Sequence, residues 1–155
     1  MGLDMFFSAK RYLSEWDDED NEVITKINSL SGGIASEWET KEVVYQVGYW
    51  RKANAIHHWF VQNVQNNVDD CQEHCVSYEN IIKLYVTVCE VLEDHSKAEN
   101  LLPTESGFFF GSIDFNECYF QDLEYTKKIL KPLVEKINGE GRELAPYDFY
   151  YRSSW

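Results

Sequence analysis

The stretch Gly48 to Phe60, GYWRKANAIHHWF, places two tryptophans, two adjacent cations, one asparagine and two histidines within thirteen residues. Arg51 and Lys52 bring positive charge, Asn54 and His57 bring hydrogen-bonding groups, and Trp50 offers a flat face for stacking. If a strand ends near Trp50 and a helix starts near Lys52, then Arg51, Lys52 and Asn54 fall in the first turn. Free backbone N–H groups and the positive end of the helix dipole make that turn a natural place for phosphate or carboxylate. Asn54 and His57 are three residues apart and share a helix face. The chemistry such a set supports is capture of an anion beside a planar group. A plainer reading stands next to it: Trp59 and Phe60 are core, His58 is exposed, and Arg51 pairs with a surface carboxylate. Cations at a helix start oppose the dipole, a small cost that a bound anion reverses.

Two further clusters carry reactive residue types. Cys71, His74 and Cys75 in DDCQEHCVSY suggest metal ligands, but structural zinc needs a second ligand pair at defined spacing. The remaining cysteines, Cys89 and Cys118, stand alone in apolar helical patterns and read as small core hydrophobes. Cys71 sits beside Asp69, Asp70 and Glu73, surroundings that disfavour a thiolate nucleophile. In SGFFFGSIDFNECYF, Asp114 and Glu117 flanked by aromatics offer a carboxylate general base, while Ser112 or Asp114 equally suits the cap of a following helix. There is no phosphate-binding loop, dinucleotide fingerprint, zinc-protease helix or nucleophile elbow. The expectation is no catalytic residue, no metal and no cofactor.

These residues need elements to position them. Residues 3 to 12 read as an aromatic strand, and EWDDEDNE as a solvated loop or helix start. Val23, Ile24, Ile27 and Leu30 have helical spacing, stopped by SGG. KEVVYQVGYW is β-branched and aromatic, a second strand. Residues 53 to 65 form a helix with Ile56, Trp59, Phe60 and Val64 in one stripe. Ser77 caps a third helix. LLPTESGFFFGS is a buried strand or a loop pressed on the core, 116 to 137 a helix kinked near Pro132, and PYDFYYRSSW a closing strand. The sum is α+β, one domain over 1–155: a small antiparallel sheet that includes both terminal strands, packed against about four helices. Strand alternation puts Lys10 with Tyr12 and Tyr150 with Arg152. If the terminal strands flank the strand ending at Trp50, at least one of these four joins Arg51, Asn54 and His57 in a cleft. The SGFFFGS loop, with Ser112, would cover it, Gly107 and Gly111 allowing close backbone approach.

Bulk properties narrow the partners. The chain has 155 residues, 27 acidic against 14 basic, and a net charge of -13. Such a surface disfavours non-specific binding to DNA or RNA, which depends on neutralising phosphates. No apolar run is long enough to cross a bilayer. Asp4 and a short apolar run do not make a secretory signal. A cytoplasmic location is therefore expected, with the four cysteines as thiols.

The segments MGLDMFF, GYWRKANAIHHWF, SGFFFGS and YFQDLEYT together resemble a family of small uncharacterised proteins from tailed bacteriophages and prophages that begin Met-Gly-Leu-Asp-Met. The resemblance touches both ends and the middle of the chain, but not the acidic loop at 16–22 or CQEHC. It implies a phage setting and, through it, action on host defence by sequestering a nucleotide-derived signal. Trp50, Arg51, Lys52, Asn54 and His57 would then hold a small anionic, nucleotide-like ligand, rings against the base and cations against the phosphates. A homo-oligomer is compatible with that role. Two rivals remain open. One is an acidic inhibitor of a host nucleic-acid enzyme, using Asp17 to Asp20. The other is a nucleotide-processing enzyme using His57, Asp114 or Glu117.

Overall fold

The computed structural model describes residues 2–139 and 141–155. Four strands, β1 (Asp4–Tyr12), β2 (Glu42–Arg51), β3 (His74–Cys75) and β4 (Asp148–Ser154), form one antiparallel sheet in the order β2-β1-β4-β3. Both terminal strands belong to it, and they lie side by side at its centre. Among the described residues five α-helices accompany it: α1 (Asp18–Ser31), α2 (Asn54–Asn63), α3 (Tyr78–Glu93), α4 (Ala98–Leu101) and α5 (Glu117–Asn138). The expected α+β architecture is present. The two-residue β3 was not legible in the sequence, being too short to show alternation.

Alternation sorts the central strands cleanly. Met5, Phe7 and Ala9 of β1 and Phe149, Tyr151 and Ser153 of β4 point inward and are buried. They meet Trp59 and Phe60 of α2, Leu84 and Val88 of α3, and Leu123, Leu130 and Val134 of α5 in one core. The Phe60 and Tyr151 rings stack at 3.9 Å with 7° between their planes. The pairing of β1 with β2 skips a residue between Phe7 and Ser8, so Val47 is an extra residue, a β-bulge.

Local signals set the helix starts. Asp17 accepts hydrogen bonds from the N–H groups of Glu19 and Asp20, which starts α1 inside the acidic run. Ser77 caps α3 as expected, its hydroxyl accepting from Asn80 N–H. Asn116 caps α5, accepting from Tyr119 N–H. Neither Ser112 nor Asp114 has that role, because their two groups bond each other, Ser112 Oγ to Asp114 Oδ2 at 2.9 Å. α5 continues through Pro132 as one element. α1 differs from the rest: its apolar stripe meets no core, and none of its residues is buried.

Candidate functional site

At the C-terminal end of β2, Trp50 turns inward and Arg51 outward, as neighbours on a strand must. Trp50 is 2% exposed and its indole N–H donates to Thr126 Oγ1 at 2.8 Å. It is a core residue, which corrects its expected role as a stacking face for ligand. Lys52 follows with a left-handed backbone, φ 62°, at the corner between strand and helix. Its N–H donates to Leu3 carbonyl at 2.8 Å, and its carbonyl accepts from Asn54 N–H at 2.9 Å. A non-glycine residue held there is strained, and such strain gathers at functional positions.

One residue later than the expected 53–65, α2 begins at Asn54 behind Ala53, whose side chain gives no cap. Among the described residues, the N–H groups of Ala55 and Ile56 have no hydrogen-bond acceptor. Asn54 is buried and its side chain is committed: its amide donates to the carbonyls of Phe110 at 3.0 Å and Ser112 at 2.8 Å, while its oxygen accepts from Glu105 N–H at 3.2 Å. Asn54 thus clamps the 105–112 loop onto the start of α2. Gly111, φ 91°, lies against Lys52, where an added Cβ would come 3.1 Å from the lysine Cβ. The loop does cover the helix start. Of its three phenylalanines, Phe108 is 95% exposed, so only part of the loop is pressed on the core.

Between this corner and the first turns of α5 lies a cleft of about 420 Å³. Arg51, Lys52, Ala55 and Ile56 form one side, Cys118, Tyr119, Gln121 and Asp122 the other, with Thr104, Gly111, Ser112 and Asp114 at the rim. Arg51 is well exposed and 3.9 Å from Asp4, a loose contact that leaves its guanidinium available. Asp122 was missed in the sequence, where it reads as one more helical acid. Burial raises its carboxyl from the ordinary 3.8 to about 6. Among the described residues that carboxyl has no hydrogen-bond donor. A carboxyl group of this kind in a cleft is a candidate functional group. Burial also raises the Tyr119 phenol, whose hydroxyl donates to Leu102 carbonyl at 2.8 Å.

His57 does not reach the cleft. It is fully buried, with Nδ1 2.7 Å from Tyr151 Oη and Nε2 3.0 Å from Asp69 Oδ2. The carboxylate can only accept, so Nε2 carries hydrogen and donates to Asp69. Trp155 Nε1 donates to the other Asp69 oxygen at 3.2 Å. Burial lifts the Tyr151 phenol well above its usual range, so its hydroxyl stays protonated. This chain ties α2 to the last strand and to the 69–71 loop. Sharing a face with Asn54 was correct as helix geometry, but that face is the core.

The terminal-strand residues are also elsewhere. Lys10, Tyr150 and Arg152 lie with Phe6, Ser8 and Glu73 in a separate groove of about 260 Å³ on the outer face of the sheet. Lys10 pairs with Glu73 and lies 4.7 Å from the centre of the Tyr150 ring; Arg152 sits 5.4 Å from that of Phe6. Tyr12 is exposed at the far end of β1. The expected cleft joining at least one of these four to Arg51, Asn54 and His57 is therefore not formed: none of the four lines the cleft beside Arg51, and three of them line the groove on the outer face of the sheet.

The other clusters resolve locally. His74 Nε2 lies 3.0 Å from Asp70, and among the described residues no three His, Cys, Asp or Glu groups are placed to share a metal ion. Asp17 is spent on its cap and Asp20 on Arg11 at 2.6 Å. No helix among the described residues is long and apolar enough to cross a membrane. No protein-family model, no curated protein and no solved structure matches the chain.

Proposed function

We propose that this protein binds a small phosphorylated, nucleotide-like molecule in the cleft between the start of α2 and the first turns of α5, without transforming it. The observation that carries the reading is the convergence of Arg51, Lys52 and the acceptor-free N–H groups of Ala55 and Ile56 on one side of that cleft. Two cations and a helix start suit a phosphate. Across the cleft, Asp122 suits a hydrogen-bond donor, such as a ribose hydroxyl or a base amino group. A nucleotide carries both kinds of group. The resemblance to small phage proteins supports sequestration of a nucleotide-derived immune signal in the host cytoplasm as the biological use. The spending of Asp17 and Asp20 on local contacts weighs against an acidic inhibitor of a nucleic-acid enzyme.

The test is calorimetric titration with nucleoside mono-, di- and cyclic phosphates, followed by heat release and chromatography of the ligand. Binding tighter than about 1 mM, a weak level, with intact ligand recovered supports sequestration. Absence of binding across the panel removes the proposal. One observation favours a second reading, a nucleotide-processing enzyme: a carboxyl titrating at about 6 exchanges protons near neutral pH. Recovery of an altered ligand, lost in Asp122→Asn while binding persists, would establish it.

A further inference from the structure

The sheet has one long strand at its edge. β2 pairs with β1 along one side, and among the described residues no strand pairs with its other side. Every second residue of β2 therefore turns its N–H and C=O outward. Only one of these groups has a partner from another element, Tyr49 N–H donating to Tyr125 Oη at 3.2 Å. Natural sheets blunt such edges with lysine, proline or inward-pointing charge. β2 does not: VVYQVGYW, residues 43–50, has neither charge nor proline and contains three valines. Val44 and Tyr45 are about half exposed, 55% and 47%. The bulge at Val47 and the Tyr125 hydroxyl on Tyr49 N–H are its protective features.

The segment leading into this edge is also apolar and uncovered. α1 and the 3-10 turn Gly33–Glu37 pack on each other, and Leu30, Ile34 and Trp38 are 87%, 66% and 63% exposed. A helix with an apolar stripe and no buried residue is incomplete without something to cover it.

We propose that the protein forms a homodimer through the free edge of β2, two copies pairing antiparallel to make one continuous eight-stranded sheet. The strand favours its own copy. Its only charges are Glu42 at one end and Arg51 at the other, so antiparallel pairing about a two-fold axis brings each end beside its opposite. β2 is also neutral in a chain of net charge -13, so two copies can approach there with the least repulsion. The α1 segments then flank the pair, and their apolar residues gain a neighbour.

The experiment is sedimentation velocity at about 100 μM chain, where an interface with Kd near 1 μM is filled, together with amide exchange at low and high concentration. A dimer is expected, with protection of residues 43–47 rising as concentration rises. Val44→Lys puts a charge on the edge and yields a monomer whose circular dichroism matches the parent. Glu42→Lys, a second variant that leaves the strand's apolar run intact, weakens dimerisation at least tenfold. A monomer at that concentration overturns the proposal. So does a dimer that survives both variants, or one that protects residues outside β2 and α1.

Discussion

Replacing His57 by alanine separates its structural role from the ligand role its sequence position suggests. The substitution removes a buried ring that packs 5.1 Å from Phe110 and 6.2 Å from Tyr151, centre to centre. It leaves the Tyr151 hydroxyl without its partner, buried and still protonated. An orphaned buried polar group costs about 1 to 3 kcal/mol, and a cavity of this size adds about 2 kcal/mol. Asp69 suffers less, since Trp155 still donates to it and it is partly solvated. The sum is about 3 to 5 kcal/mol against a total stability of about 5 to 15 kcal/mol. For a chain of this length that lowers Tm by roughly 10 °C. Urea unfolding followed by circular dichroism measures it. The cleft should keep its ligand affinity in the folded fraction. Adding Tyr151→Phe removes the orphaned hydroxyl, so the double variant should be at least about 1 kcal/mol more stable than additivity requires. A His57→Ala protein that melts with the parent, or a strictly additive pair, would refute the network.

Three further outcomes follow from the cleft. Asn54→Ala removes three bonds to the 105–112 loop, so amide exchange in that loop should rise at least tenfold while β1 and β4 stay protected. Lys52→Gly relieves a left-handed backbone worth about 1 kcal/mol, so stability should hold or rise while affinity for phosphate falls; reduced stability would mean that the lysine stem packs usefully. Asp122 has a linkage of definite sign. Its carboxyl is raised in the folded state, to about 6 from 3.8, so the folded chain holds the proton more tightly than the unfolded one between those values. Asp122 therefore opposes folding above pH 6, and that penalty fades as pH falls toward 4. Asp122→Asn should be more stable than the parent at pH 8 and nearly equal to it at pH 4. Equal stability at both pH values would show the carboxyl to be solvated.

The architecture was readable because it rests on local periodicity. β1, β2 and β4 alternate or run apolar, Ser77 marks a helix start, and the stripe of α5 is continuous across Pro132. The site was only half readable. A gathering of cations at the end of a strand does mark the cleft, since Arg51 and Lys52 lie there. Which polar residues turn inward is a tertiary fact, invisible in spacing. Asn54 and His57 look like ligand-binding groups, yet each is itself buried and bonded to partners more than ten residues away in sequence. Asp122 gave the opposite error: its sequence context is that of a solvated helix, and only the approach of α2 to α5 removes water from it. The terminal-strand residues were misplaced because alternation gives the face of a residue but not which face the helices cover.

In the proposed function, Arg51 and the uncapped start of α2 hold a phosphate. Calorimetric titration of the parent and Arg51→Ala proteins with whichever nucleoside phosphate binds tests it most directly, with urea unfolding run in parallel. The expected result is a loss of affinity of about 1.5 to 3 kcal/mol, the scale of a hydrogen bond to a charged group, and no change in unfolding midpoint. Undiminished binding in the variant, or lost stability with affinity intact, would contradict it.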